Sequence, residues 1–204
     1  MNVSKCIRTL HDLPNQNSNQ QRPSPSADLP PSVLTEQEKK HSAALMRVNH
    51  TGEVCAQALY LGQSLTARSS SIREGLNQAA QEESDHLYWC QHRIHELDGH
   101  TSYLNPLWFT GSLLIGTVAG LIGDKWSLGF LAQTEHQVSE HLGNHLKVLP
   151  KNDLQSISIV AQMQLEEASH EQNAIKHGAA TLPIAVTWGM QCLAKVMTSV
   201  TYYV

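Results

Sequence analysis

Four stretches of this chain have apolar residues at helical spacing, and each carries a glutamate in the middle of its apolar stripe. In the second stretch Leu76, Ala79, Ala80, Leu87, Cys90, Ile94 and Leu97 surround Glu83. In the third, Leu128, Leu131, Ala132, Val138, Leu142, Leu146 and Leu149 surround Glu135. A carboxylate on a buried face is costly unless it is paired or binds a metal. A chain that repeats this arrangement four times must fold so that the four carboxylates meet.

The acids also form a doubled pattern. Glu53 is followed by Glu83-Ser84-Asp85-His86, and Glu135 by Glu167-Ala168-Ser169-His170. The lone glutamates are 82 residues apart, and the two histidines 84. On a helix, residues i and i+3 project from nearly one face, so each Glu-x-x-His can serve one ion from one helix. A glutamate from each of two helices plus a Glu-x-x-His from each of the other two is the ligand set of a carboxylate-bridged di-iron or di-manganese centre in a four-helix bundle. Carboxylate oxygens and imidazoles suit both metals. A single Glu-x-x-His is a weak signal, because salt-bridged helix faces produce it often. Two copies, each on an apolar stripe, are a strong one. Glu53, Glu83, His86, Glu135, Glu167 and His170 are therefore the candidate metal ligands and catalytic residues.

The expected architecture is all-α: a four-helix bundle of helices over about 36–67, 70–98, 127–148 and 152–177, with an apolar crossover segment and an apolar C-terminal helix. Thr35 followed by Glu38 marks the first helix start as a capping box. Residues 1–35, rich in proline and polar side chains, read as a disordered or variable tail preceding a catalytic domain over 36–204. The span 101–123 contains no Asp, Glu, Lys or Arg, and another uncharged run covers 178–194. The first is long enough to cross a bilayer. A single crossing there would put Glu53 and Glu83 on one side and Glu135 and Glu167 on the other. A helix lying on a membrane or capping the bundle fits better, with Leu113 and Ile115 facing lipid and the two apolar segments flanking a channel to the metals.

The net charge of −4 and the pI near 6.3 leave no basic block for a nucleic-acid partner. The four cysteines form no CxxC pair, so a zinc ribbon is not expected, and reduced thiols are. His50, His141 and His145 read as core histidines, Cys90 as a core residue, and Tyr60 as a core residue whose hydroxyl can point at the site. Glu82 and Glu166, each preceding a ligand glutamate, read equally well as supports for the opposite histidine or as surface acids.

The run from Met46 to Tyr60, Met-Arg-Val-Asn-His-Thr-Gly-Glu-Val-Cys-Ala-Gln-Ala-Leu-Tyr, resembles the signature of the bacterial demethoxyubiquinone hydroxylases. Glu82-Glu83-Ser84-Asp85-His86-Leu87, Asn105-Pro106-Leu107-Trp108, Glu135-His136-Gln137-Val138 with His141-Leu142, and Glu166-Glu167 with His170 extend the resemblance over about 37–204. It implies a ferritin-like fold and two iron ions. It implies a monooxygenase that hydroxylates a demethoxy-polyprenyl quinol with dioxygen and two electrons, NADH being an electron source. It further implies peripheral attachment to the cytoplasmic face of the inner membrane and other quinone-biosynthesis proteins as partners; the apolar surface of the two uncharged segments, for its part, suits a homo-oligomer. The alternative reading of the same residues is a ferritin- or rubrerythrin-like protein that handles iron or peroxide.

Overall fold

The structure is a computed structural model that describes residues 22–204. Among these the regular elements are six helices and no strand: α1 Glu36–Thr66, α2 Ser70–Glu96, α3 Asn105–Ile122, α4 Asp124–Val148, α5 Leu154–Lys176 and α6 Ile184–Thr201. Helices α1, α2, α4 and α5 form the expected bundle. Helix α3 is the crossover between its two halves, and α6 is the C-terminal apolar helix. The short connections α1–α2 and α4–α5 make each pair an antiparallel hairpin.

The ends of these helices follow from local chemistry. Thr35 closes the capping box: its hydroxyl accepts from the Glu38 amide, and its own amide donates to Glu38 Oε2 at 2.8 Å. Asp153 caps α5 by accepting from Ser156 N, while its buried carboxylate pairs with Arg93 Nη2 at 2.7 Å on α2. Asp124, in the first turn of α4, accepts from the amides of Arg68 and Ser69 and so ties that turn to the α1–α2 connection. Gly123 joins α3 to α4 at φ 139°, a conformation that side chains disfavour.

Two apolar clusters fill the bundle on either side of the carboxylates. One gathers Met46, Trp89, Ile94, Leu142, Ile159 and Met163, and the other Tyr60, Leu76, Leu128 and Leu131. Cys90 lies wholly inside the first, as a core residue. Cys55, Cys90 and Cys192 are unpaired, and Cys6 lies outside the described residues.

Helix α3 packs along α1 at very short range. A Cβ on Gly62 would stand 2.5 Å from the Leu113 carbonyl, and one on Gly116 would stand 2.3 Å from that of Leu59. Phe109 and half-buried Leu113 complete this inner face against Val54, Ala58 and Leu61. The outer face is Leu107, Leu114, Val118 and Leu121, all more than half exposed. Leu113, expected to face outward, instead faces α1, because the glycines set the helix phase; Leu114 takes the outward position. By length and composition α3 could cross a membrane, yet its inner side lies on the bundle. Helix α6 is attached chiefly at its C-terminal end. There Arg47 donates to the carbonyls of Tyr202 and His100 at 3.2 and 2.8 Å, and His41 meets the Tyr202 hydroxyl at 2.7 Å.

Residues 1–21 of the expected tail lie outside the described residues. Residues 22–35 run without helix along α2 and α5. Polar contacts hold them along their length, and Leu34 packs against the core at the far end: Ser158 Oγ donates to Pro25 O, Gln155 Oε1 accepts from Ser32 N, and Asn152 Nδ2 donates to Val33 O. Pro23, Pro25, Pro30 and Pro31 already restrict this backbone, which lowers the entropy lost on docking.

Candidate metal centre

Each of the six residues singled out by spacing projects into the middle of the bundle. Glu53 comes from α1, Glu83 and His86 from α2, Glu135 from α4, and Glu167 and His170 from α5. The four carboxylates are all but inaccessible, with at most 2% of their surface exposed. One donor atom from each of Glu53, Glu83, His86 and Glu167 falls within a common 4.8 Å. So does a second group of Glu135, Glu167 and His170. The structure therefore brings all six together as two adjoining sets that share Glu167.

The α2 and α5 glutamates lie between the two imidazoles. Glu83 approaches His86 Nδ1 at 3.0 Å and His170 Nδ1 at 3.1 Å, while Glu167 approaches the same nitrogens at 3.0 and 3.3 Å. Glu53 and Glu135 lie at the two ends. Tyr60 on α1 donates a short hydrogen bond to Glu135 Oε1, so its hydroxyl does point at the site.

The far nitrogens of both rings are engaged crosswise. His86 Nε2 meets Glu166 of α5 at 2.7 Å, and His170 Nε2 meets Glu82 of α2 at 2.7 Å. A carboxylate at Nε2 favours the tautomer that carries its proton there, which leaves the Nδ1 lone pair directed into the cluster. This settles the two readings of Glu82 and Glu166: both support the opposite histidine.

Burial alone would raise every carboxyl in the cluster. It does so for Glu53 and Glu135, which are held well above the usual carboxylate range, with the charges of Glu83 and Glu167 adding to the effect at Glu53 and that of Glu167 at Glu135. Glu83 is as deeply buried, but the charge of His86 and the close approach of both imidazoles overcome its desolvation and hold it well below that range. Burial also opposes charge on the imidazoles, and the carboxylates reverse it: His86 is raised well above its ordinary value, and His170 is pushed up to about 12. Positive charge at the centre is what this donor set calls for. Glu53 Oε1, Glu83 Oε1 and Glu167 Oε1 are buried with no hydrogen-bond partner of acceptable geometry, although the latter two lie about 3 Å from ring nitrogens. Oxygens crowded around imidazole nitrogens yet unsatisfied as acceptors are suited to metal ligation.

A cavity of about 910 Å³ opens between α1, α3, α4 and α6 and reaches the cluster at Glu53. Leu59, Trp108, Phe130, Met190 and Met197 contribute to its largely apolar wall. His141 also lines it. Next to His141 is His145, its ring centroid 4.0 Å away. Both are desolvated, and His145 is held down at about 3.

The sequence pattern did not mark Arg22. Its guanidinium makes a two-pronged pair with Glu166 at 2.7 and 2.8 Å and meets Asp85 at 2.6 Å. It escaped notice because the surrounding composition reads as a tail. An arginine directly before the Pro-Ser-Pro run, 22–25, is the only trace it leaves.

The architecture and relatives of the chain agree with this geometry. A solved dodecameric thioferritin from Bacteroides fragilis, a bacterioferritin-related protein, superposes with a TM-score of 0.57, covering 68% of this chain and 84% of that one at 17% identity. At that identity it supports the ferritin-like bundle alone. A 3-demethoxyubiquinol 3-hydroxylase of Nitrosomonas europaea is 54% identical over 92% of this chain and 90% of its own length. One from Legionella pneumophila is 50% identical over 99% of this chain and 94% of its own. The profile of the family described as ubiquinone biosynthesis protein COQ7 matches residues 40–201, a span that contains all six clustered side chains, and the chain belongs to that family.

Proposed function

We propose that this chain is a 3-demethoxyubiquinol 3-hydroxylase of ubiquinone biosynthesis whose catalytic residues act through a di-iron centre. The observation that carries this reading is the buried meeting of Glu53, Glu83, His86, Glu135, Glu167 and His170 at the inner end of an apolar cavity. Its relatives' names support the substrate, a demethoxyubiquinol. In the proposed assignment Glu53 and His86 serve one ion, Glu135 and His170 the other, and Glu83 and Glu167 lie between them. The bound pair would supply the activation of dioxygen with two electrons and two protons, one oxygen atom being inserted at a ring C–H to give the hydroxyl and the other leaving as water.

The chain's own residues do the rest. Glu82 and Glu166 hold the Nε2 protons of His170 and His86 and keep both Nδ1 atoms turned inward. Tyr60 holds Glu135 through its hydroxyl. The cavity walls admit the apolar portion of the quinol and exclude water. Residues 36–204 form the catalytic domain. The outer faces of α3 and α6 dock on the inner membrane from the cytoplasmic side, where the polyprenyl substrate resides, and this apolar flank also suits self-association or other quinone-biosynthesis proteins. NADH is the proposed electron source. An iron-storing or peroxide-handling role has no use for the apolar cavity.

The test is anaerobic purification, iron counting and a short-chain demethoxyquinol assayed for oxygen incorporated from labelled dioxygen. Glu167→Ala should lower iron below two per chain and reduce hydroxylation by about 100-fold or more, since even supporting residues of metal sites are worth about 10–100-fold. Undiminished turnover in that variant would remove the ligand assignment.

A further inference from the structure

The two halves of the cluster are near copies, but their surroundings are not. Glu82, which holds His170, is 41% exposed and has Gln78 as its further hydrogen-bond partner among the described residues. Glu166, which holds His86, is gripped by both Nη atoms of Arg22 and also accepts from Gln162. Arg22 is fixed in turn from three sides. Its Nε donates to Asp85 at 2.6 Å, its guanidinium lies 4.9 Å over the Trp89 ring, and its carbonyl accepts from Trp89 Nε1 at 3.2 Å. The Trp89 ring rests 5.4 Å from that of His86. A planar fork locked this way prevents the carboxylate it grips from rotating.

We propose that the segment 22–35 is a strap belonging to the metal-site scaffold, and that Arg22 is a positioning residue which, through Glu166, fixes His86 and makes the two ion sites unequal. This inference rests on the di-iron reading above. It extends to a stretch outside the matched family profile, which starts at residue 40. The ion served by His86 is the more firmly held, because its histidine cannot swing away without breaking a chain of hydrogen bonds that ends at Arg22. The ion served by His170 leans on an exposed, singly supported glutamate and leaves first.

Full-length protein loaded anaerobically with ferrous ion and mixed with a strong ferrous chelator reports this directly. Wild type should release two ions in two phases, one fast and one slow. Arg22→Ala should accelerate the slow phase by about 10–100-fold, and Arg22→Lys, which keeps the charge but not the fork, should fall between. Asn152→Ala loosens the strap at Val33, far along the chain from Arg22, and should release iron as wild type does. A wild type that binds two ions and loses them in a single phase overturns the inequality and leaves the di-iron reading intact. Unchanged two-phase release from Arg22→Ala overturns the positioning role of Arg22 and likewise leaves the di-iron reading intact. Equal acceleration by Asn152→Ala would reduce the effect to strap packing and remove Arg22's specific role. A wild type that takes up no iron removes the di-iron reading, and this inference with it.

Discussion

The interior of the bundle and its outer flank break opposite rules. Inside, four glutamates occupy positions that packing would give to leucine, each at most 2% exposed. Outside, α3 and α6 present Leu107, Leu114, Leu121, Ile184, Trp188 and Leu193 at positions a soluble surface would give to lysine or glutamate. Neither deviation helps the isolated chain fold. Buried carboxylates cost desolvation, and an exposed apolar flank invites association. Each becomes favourable with something added: cations at the centre, an apolar phase at the flank. The cavity that begins among α6 side chains and ends at Glu53 joins the two regions, so the costs sit at the two ends of one path.

The largest effect is expected at the flank. Replacing Leu114 and Leu121 together with Asp should lower partitioning onto lipid vesicles by about a hundredfold or more, since each buried leucine side chain is worth about 1.5–3 kcal/mol. Iron content should be unchanged, because neither residue touches the cluster. Vesicle flotation that is the same for variant and parent would dismiss α3 as the docking face.

The interior should respond in the opposite sense. Glu53 has one buried oxygen with no hydrogen-bond partner, and burial, with the neighbouring carboxylates, opposes its ionisation. Glu53→Leu should raise the unfolding free energy of the metal-free protein by about 1–3 kcal/mol, the cost of an unsatisfied buried polar group. The melting temperature of the metal-free protein should rise by about 2–4 °C per kcal/mol. Iron loading should fail in the same variant. Destabilisation of the metal-free protein by this change would mean that Glu53 is part of the structural core.

The contrast also explains what the sequence made legible. Bundle and centre were readable because a buried acid on an apolar stripe is a physical contradiction, and four contradictions in register have few resolutions. The bounds of α1, α2 and α5 came within a residue or two of expectation for the same reason, with the expected cap at Thr35. The rotation of α3 was not readable from hydropathy. A helix with apolar residues on nearly all sides and no charged face does not name its buried side, and its phase is set by where Gly62, Gly116 and Gly120 allow close approach to α1. The strap was missed on different grounds: apart from Leu34, its order rests on hydrogen bonds to α2, α5 and the turn before α5, which composition does not encode, so a proline-rich polar stretch looked like a free tail. Tyr60 was readable as a core residue whose hydroxyl can point at the site, but nothing in spacing names Glu135 as its partner.

The glycine contact sharpens the comparison from the α3 side. Gly116→Ala inserts a methyl 2.3 Å from the Leu59 carbonyl and should cost about 1–3 kcal/mol, as overpacking does. Gly111, one turn and a half earlier, has open space around its Cβ position. There the same substitution should stabilise by about 0.4–1 kcal/mol through the unfolded chain. Urea unfolding of the two variants should therefore shift in opposite directions. Equal shifts would mean that α3 is not seated on α1 through its small residues.

The mildest test is acidification at the edge of the core. Desolvation, helped by His141 and His41, holds His145 at about 3 against an ordinary value of 6.5, and its Nδ1 has no hydrogen-bond partner. The folded protein keeps this imidazole neutral while the unfolded chain protonates it below about 6.5, so the unfolded state binds the extra proton. Stability from this site is complete above 6.5 and falls as pH drops toward 3, at a slope of at most about 1.4 kcal/mol per pH unit. His145→Leu removes the difference and should flatten the acid limb between pH 6.5 and 5 while leaving the neutral plateau in place. Denaturant titrations of parent and variant at several pH values measure that slope, and parallel acid limbs would show that the imidazole is already solvated in the folded state.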